Sequence, residues 1–224
     1  MSVTAIIVAA GSGLRSGSAV PKQFVEIKHR PLILYTVDKF LAAPRISDLI
    51  IVAAADRINF LRRTLSVVSK PVSVVEGGKT RAESVFNGIS SLSRQTEAVA
   101  IHDAARPFVK VEDIEATISK ALETGAACLV AEVPDTIKTV FAGEISGTLD
   151  RSRIRRALTP QTFRTEVIRR AFELADLSEP VPDDAYLVEK LGHPITAVEA
   201  SSENMKITYP ADLELARIMI EAGL

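Results

Sequence analysis

The sequence predicts an α/β fold with a mostly parallel sheet and helices on both faces. Short apolar segments rich in Ile and Val, typical of strands buried on both faces, alternate with segments whose apolar residues recur at helical spacing. The connections between these segments are short, and strands that alternate with helices in this way form a parallel sheet covered on both sides. The 224 residues suit one large α/β domain, which we expect to span 1–224.

The predicted elements alternate in order along the first part of the chain. Pro31 suits the first turn of the first helix, and Asp56 suits the N-cap of the second. The predicted strands are 3–10, 49–53, 72–75, 98–101 and 127–133, and the predicted helices are 31–43, 58–68, 81–92 and 112–124.

The alternation breaks after the fifth strand. Residues 136–141 and 148–151 predict a two-stranded hairpin around a turn at 142–147. Such a hairpin is only marginally stable alone and must pack on something, and a second copy of the chain is the economical partner. We therefore expect 135–158 to be a protruding arm that forms a homodimer.

The last part of the chain returns to mixed elements. Residues 158–161 predict a turn, 165–175 and 184–191 predict helices, 195–198 predicts a strand, and Pro210 begins a final helix. Between the last strand and this helix, Lys206 is conspicuous as the only cation between Lys190 and Arg217.

Composition and charge are those of an ordinary soluble globular protein. With 47% hydrophobic residues and a net charge of -1, the chain is neither disordered nor suited to general nucleic-acid binding, so any anion site must be local. The single cysteine, Cys128, lies in an apolar run and rules out a disulfide framework within the chain. No signal peptide and no bilayer-spanning apolar stretch is evident. We expect a cytoplasmic protein that binds neither nucleic acid nor membrane.

The glycine-rich loop after the first strand is the first candidate site. Gly11 and Gly13 allow the backbone to approach a ligand closely, and Arg15 and Lys22 supply two cations with no acid before Glu26. Backbone N–H groups and cations together favour a polyanion, with phosphate as the first candidate. The alternative is an ordinary turn with two solvated basic residues.

Two familiar phosphate-binding motifs are excluded by spacing. The dinucleotide fingerprint fails because Ser16 occupies the position of the third glycine, which comes one residue late at Gly17. The segment 78–80 imitates the end of a P-loop, but the upstream glycine is replaced by Ser73 in a predicted strand.

Polar residues also follow the fourth predicted strand. His102, Asp103 and Arg106 come directly after its apolar run. Ligands of open α/β sheets bind outside the carboxyl ends of the strands, so Asp103 and Arg106 should face the same crevice as Arg15 and Lys22. Asp103 could instead cap the following loop, but we favour a site role. His102 we interpret as a hydrogen-bonded structural histidine.

Six motifs in order give the chain a resemblance to a known family. They are Ala-Ala-Gly-x-Gly-x-Arg with Pro-Lys-Gln-Phe, Gly-Gly-x-x-Arg-x-x-Ser-Val, His-Asp-Ala-Ala-Arg-Pro-Phe, Asp-Thr-Ile-Lys, Leu-Thr-Pro-Gln and Asn-Met-Lys-Ile-Thr. Over essentially the whole chain, the set resembles the 2-C-methyl-D-erythritol 4-phosphate cytidylyltransferases of the non-mevalonate isoprenoid pathway. The resemblance implies a Rossmann-like α/β core, CTP and Mg²⁺, and a homodimer in which the hairpin arm exchanges contacts.

The resemblance also implies roles for individual residues. Arg15 and Lys22 match residues that stabilise the reacting triphosphate, and Lys206 matches one that helps stabilise the α-phosphate. Asp103 is in addition the candidate Mg²⁺ ligand. The residues implied to hold the nucleotide are Ala9, Ala10, Gly11, Gly13, Gly78, Ser84 and Asp103. The residues implied to hold the sugar-alcohol phosphate or its surroundings are Asp103, Arg106, Thr136, Thr159 and the partner subunit's Arg151.

Three departures and two alternatives accompany the resemblance. Ser16 stands where Met is usual, Lys79 replaces an acid seen in some relatives, and Pro182 stands where a substrate-contacting Thr is common. One alternative is ribitol 5-phosphate cytidylyltransferase. Ala105 favours the methylerythritol enzyme over it, because the ribitol enzymes often carry Val there. The other is a catalytically silent nucleotide-binding regulator. The residues that argue against it are the intact Arg15, Lys22, Asp103 and Lys206.

Overall fold

The computed structural model describes residues 2–11 and 20–223. The strands in this part of the chain are β1 (Ser2–Ala9), β2 (Glu26–Ile27), β3 (Arg30–Pro31), β4 (Ile46–Ala53), β5 (Val72–Glu76), β6 (Thr96–Asp103), β7 (Ala126–Glu132), β8 (Lys138–Phe141), β9 (Glu144–Thr148), β10 (Arg155–Arg164) and β11 (Thr196–Glu199). The helices are α1 (Leu32–Ala42), α2 (Ala55–Thr64), α3 (Arg81–Ser90), α4 (Val111–Thr124), α5 (Thr165–Leu174), α6 (Asp184–Lys190) and α7 (Pro210–Glu221), with short 3-10 helices at Lys22–Phe24 and Arg151–Arg153.

Seven of these strands form one sheet in the order β11-β7-β10-β6-β1-β4-β5. Its neighbours pair in parallel except at β10, which runs antiparallel to both β6 and β7. Side chains alternate across the sheet, so Ile7 and Ile6 of β1 enter separate apolar clusters on opposite faces. One cluster is completed by α1, α2 and α4, and the other by α3, α5 and α6. The predicted α/β class with helices on both faces is confirmed.

The turn predicted at 158–161 is wrong, because these residues lie inside β10. Leu158 and Gln161 are buried in the sheet, and the pairing of β10 with β7 is interrupted between Ala157 and Gln161. The Thr159–Pro160 peptide bond, which is cis, lies in this interruption. Proline has no N–H to donate to a ladder, so a strand accommodates it where the pairing is irregular. A turn-forming sequence thus occurs within a strand.

Two further local predictions need correction. Asp56 is not the N-cap of α2; the N-cap is Ala54, and Asp56 lies in the first helical turn, where its charge favours the helix dipole. The hairpin is present, but β9 begins at Glu144 and the turn is the pair Ala142 and Gly143. Both turn residues have positive φ, 50° and 88°, as a tight two-residue hairpin turn requires. The predicted turn was too long because Ser146 and Gly147, residue types that are common in turns, lie inside β9.

The carboxyl ends of β1 and β6 meet at one edge of the sheet, where Val8 pairs with Asp103. The segments that follow β1, β5 and β6 therefore converge there. Within the described residues, no helix is long and apolar enough to cross a bilayer.

Candidate active site

A cavity of about 540 Å³ opens at this edge of the sheet. Its walls come from the ends of β1 and β6, the 3-10 helix after the glycine-rich loop, the start of α3, and the segment before α7. The predicted site residues that line it are Ala10, Gly11, Lys22, Gly78, Ser84, Asp103 and Lys206. Its volume is within the range of small-molecule sites, about 300–1,000 Å³.

Asp103, at the last position of β6, is the charge centre of the cavity. Its Oδ2 lies 2.8 Å from Lys206 Nζ and 3.4 Å from Arg106 Nε, and its Oδ1 lies 3.1 Å from Arg81 Nε. Burial alone would raise the pKa of Asp103, but the three neighbouring cations outweigh it and hold the pKa well below its usual range. The carboxylate is therefore ionised, and three cations from separate segments converge on it.

Arg81 is held from the other side by a second acid. Its Nη1 and Nη2 donate to Oδ1 and Oδ2 of Asp184 at 3.0 and 2.8 Å, and the Asp184 side chain is fully buried at the start of α6. Burial lowers the pKa of Arg81, but Asp184 and Asp103 more than offset this, so the net shift is upward. A bidentate pair fixes the guanidinium plane, so Asp184 orients Arg81 towards Asp103.

A buried hydrogen-bond network supports Asp103 from behind. The Thr159 hydroxyl accepts from Asp103 N at 3.2 Å and lies 3.0 Å from His102 Nδ1, while His102 Nε2 lies 3.1 Å from the Arg106 carbonyl oxygen. A carbonyl can only accept, so Nε2 carries the proton and Nδ1 accepts from the Thr159 hydroxyl. Burial lowers the pKa of His102 to about 4, which keeps the imidazole neutral. The prediction of a hydrogen-bonded structural histidine is confirmed.

The side of the cavity formed by the loop before α3 is built from tightly packed backbone. Gly78 N donates to Ser84 Oγ at 3.1 Å, and Ser84 Oγ donates to the Thr80 carbonyl at 2.8 Å. A Cβ on Gly77 would lie 2.3 Å from the Cβ of Ala10, so the loop before α3 approaches the end of β1 as only glycine permits. Thr80 also caps α3 through a capping box.

Gln23 joins the two ends of the glycine-rich segment. Its Nε2 donates to the carbonyl oxygens of Ala9 and Gly11 at 2.7 and 2.8 Å. These bonds hold the 3-10 helix that carries Lys22 against the end of β1, which brings Lys22 to the cavity wall.

Several predicted residues do not line this cavity. Ala9 is buried at the end of β1, while Arg106 and Thr159 are buried in contact with Asp103. Thr136 and Arg151 lie exposed at the base of the hairpin, and Arg151 Nη1 donates to the Pro134 carbonyl oxygen at 2.8 Å. The predictions for Gly13 and Arg15 lie outside the described residues.

Sequence reasoning missed Arg81, Asp184 and Gln23 as site residues. Arg81 and Gln23 lie inside two of the six motifs that carry the family resemblance, and that position was the signal that could have identified them. Asp184 carried no such signal, because its partner is 103 positions away in the chain. Among the described residues, no three His, Cys, Asp or Glu side chains cluster as metal ligands would.

Comparisons with known proteins agree on one family. The sequence profile of the 2-C-methyl-D-erythritol 4-phosphate cytidylyltransferases matches residues 3–222. Proteins of this name from Endomicrobium trichonymphae and Bacillus licheniformis are each 39% identical to the chain, over 99% of it and over 100% and 97% of their own lengths. The crystal structure of the 4-diphosphocytidyl-2C-methyl-D-erythritol synthase from Anaerococcus prevotii superposes with a TM-score of 0.88 at 28% identity, covering 98% of this chain and 96% of that one.

Proposed function

The chain belongs to the 2-C-methyl-D-erythritol 4-phosphate cytidylyltransferase family, and from that membership we propose how its cavity carries out the reaction. The enzyme joins CMP from CTP to methylerythritol phosphate and releases pyrophosphate. The observation that carries the proposed mechanism is the convergence of Arg81, Arg106 and Lys206 on Asp103 beside the cavity.

The chemistry needs cations more than it needs a base. An oxygen of the acceptor phosphate attacks the α-phosphorus of CTP, and the bond from that phosphorus to the bridging oxygen of pyrophosphate breaks. The acceptor phosphate is largely dianionic near neutrality, since its second pKa is about 6, so no side chain has to remove a proton. The difficulty is bringing two anions together, which calls for positioned positive charge.

Lys206 is suited to stabilise the α-phosphate in the transition state. Its Nζ rests on Asp103 at 2.8 Å, and its side chain is 36% exposed beside the cavity. A phosphate oxygen that enters can accept from the same ammonium, so Asp103 keeps Lys206 aimed until substrate arrives. Lys22, which also lines the cavity, and Arg15 would act on the triphosphate.

The nucleotide would be held mainly by backbone groups. Ala10 and Gly11 would line one side of the cytidine, with Gly78 and Ser84 on the other. Ala9, which is buried, would act by positioning Ala10, and Gly13 keeps its expected role in holding the nucleotide. Because Ser84 Oγ already accepts from Gly78 N, its main contribution is to fix the Gly78 backbone that faces the base.

Magnesium would bind chiefly through the substrate phosphates. Mg²⁺ is commonly held by one or two carboxylates together with phosphate oxygens, so it does not require a cage of protein ligands. Asp103 fits this pattern as a buried, ionised carboxylate at the cavity wall and would hold the ion directly or through water. Bound Mg²⁺ would neutralise charge on the triphosphate oxygens.

The acceptor site would be completed by a second subunit. The hairpin carries three exposed apolar side chains, Val140, Phe141 and Ile145, at 63%, 79% and 69%. A lone hairpin is only marginally stable, so this apolar surface favours packing against a partner. We propose a homodimer in which residues 135–158 cover the partner, so that the partner's Thr136 and Arg151 reach the acceptor phosphate beside Arg106. Thr159 would serve the acceptor indirectly, by holding Asp103.

The buried free thiol of Cys128 suits the reducing cytoplasm, where we expect the enzyme to work.

Purified protein with CTP and Mg²⁺, offered each sugar-alcohol phosphate in turn, tests the substrate. We expect pyrophosphate release to be fastest with methylerythritol phosphate. Faster turnover with ribitol 5-phosphate would identify the alternative cytidylyltransferase, and no release with either acceptor would support a silent nucleotide-binding regulator.

A further inference from the structure

Asn204 is a buried residue beside the site that the mechanism above does not use. It is 1% exposed and lies two positions before Lys206, in a segment between β11 and α7 that has no helix or strand. Its side-chain Nδ2 donates to the Thr159 carbonyl oxygen at 2.8 Å, and its backbone carbonyl oxygen accepts from Arg106 Nη1 at 2.9 Å. Asn204 therefore connects β10 to two of the three cations on Asp103: to Arg106 by a hydrogen bond, and to Lys206 through the backbone.

An irregular segment needs such an anchor if it is to aim a lysine. The ammonium of Lys206 sits on a flexible four-carbon stem, so its position is defined only when its backbone is fixed. That backbone is fixed on one side by Asn204 and on the other by Ile207, whose N–H donates to the Ala105 carbonyl at 2.8 Å. Without the Asn204 side chain, the segment would lose its buried hydrogen bond to β10 on the N-terminal side of Lys206.

The chemistry of the Asn204 side chain also requires an explanation. Its Oδ1 is buried and makes no hydrogen bond to the protein. A buried acceptor without a partner destabilises a fold, and an apolar side chain of similar volume would avoid that cost. The hydrogen bond from Nδ2 to the Thr159 carbonyl oxygen therefore explains why an amide stands at this position.

We propose that Asn204 is a positioning residue that holds Lys206 and Arg106 in place for the reacting phosphates. It does not line the cavity, and both of its partners are tied to Asp103: the Thr159 hydroxyl accepts from Asp103 N, and Arg106 pairs with the Asp103 carboxylate. This role rests on the proposed roles of Lys206 in the transition state and of Arg106 at the acceptor.

A double-mutant cycle separates positioning from general loss of structure. Asn204→Ala, Lys206→Ala and the double variant are compared by kcat and by KM for each substrate, with folding followed by thermal unfolding. The matched control is Asn87→Ala, because Asn87 Nδ2 makes the same kind of bond, to the Glu76 carbonyl at 3.0 Å. Should Asn204→Ala not fold, Asn204→Ser, whose hydroxyl is too short to replace the amide, takes its place in the cycle.

We expect Asn204→Ala to lower kcat about tenfold and to raise KM for the acceptor several-fold, while Asn87→Ala stays within about twofold of wild type. In the Lys206→Ala background, Asn204→Ala should lower kcat by less than about twofold, since the lysine it aims is gone. The rise in KM for the acceptor should persist there, because the backbone carbonyl of residue 204, which accepts from Arg106, still lacks its side-chain anchor on Thr159 and shifts.

Other outcomes contradict this role in distinguishable ways. An equal fall in kcat in both backgrounds would mean that Asn204 acts through the fold and not through Lys206. Wild-type kinetics of Asn204→Ala, with Lys206→Ala inactive, would overturn the positioning role and leave the proposed function intact. Wild-type turnover of Lys206→Ala would remove the proposed function of that lysine and the positioning role with it.

Discussion

Replacing Asp184 by Asn tests whether the buried pair with Arg81 organises the site. Burial raises the pKa of Asp184, but the two-point contact with Arg81 favours the ionised carboxylate. The substitution keeps the volume and removes the charge that faces Arg81 Nη1 and Nη2 at 3.0 and 2.8 Å. Two unit charges about 4 Å apart attract by about 4 kcal/mol at an effective dielectric constant near 20, and breaking one side of a buried pair commonly costs about 3–5 kcal/mol. The Asp184 side chain is 0% exposed, so water cannot replace the lost partner.

A surface pair in the same chain supplies the control. Arg30 and Asp38 also form a two-point contact, but their side chains are 39% and 48% exposed, so Asp38→Asn should cost less than about 1 kcal/mol. Urea unfolding measures both costs, and we expect Asp184→Asn to lose about 3 kcal/mol more than the control, with turnover reduced as well because Arg81 no longer faces Asp103. Equal costs in the two variants would refute the reasoning that the buried pair holds Arg81.

Three further predictions concern catalysis, pH and assembly. Lys22→Ala should lower kcat about a hundredfold with little change in the unfolding midpoint, and near wild-type turnover would exclude Lys22 from the mechanism. His102 is neutral in the fold because its pKa is lowered to about 4, so the unfolded chain binds the extra proton between about pH 6.5 and 4. Stability should therefore fall as the pH falls through this window, and His102→Gln should flatten the slope; an unchanged slope would show that other groups cause it. Finally, co-expression of Lys22→Ala with Arg151→Ala should restore about a quarter of wild-type activity, because half the dimers are mixed and each has one intact site. Mixed dimers without recovered activity would mean that Arg151 acts within its own chain.

The sheet and the position of the site could be predicted because both depend on local sequence. The apolar run of β1 leads into the glycine-rich loop, the apolar run of β6 ends in His102 and Asp103, and the parallel arrangement brings the two strand ends together. Asp103 was predicted from its place directly after an apolar strand, whereas Lys206, conspicuous as an isolated cation, was assigned to the site by the family resemblance; the two side chains meet at 2.8 Å.

The features that could not be predicted depend on tertiary packing. Residues 158–161 have turn chemistry, yet two neighbouring strands enclose them and convert the segment into an irregular stretch of β10. Asp184 looks like one of two capping acids, and only the fold brings it to Arg81; its neighbour Asp183 is the N-cap, accepting from Tyr186 N. Local patterns cannot identify partners that meet only when the sheet is assembled.

The single-turnover rate of CMP transfer in Lys206→Ala tests the central claim most directly. With CTP and methylerythritol phosphate bound at saturation, this rate reports the chemical step without substrate binding or product release. Loss of a cation aimed at the α-phosphate should slow the step about a hundredfold, with the variant as stably folded as the wild type. A single-turnover rate equal to that of the wild type would contradict the claim that the cations gathered on Asp103 act on the reacting phosphates.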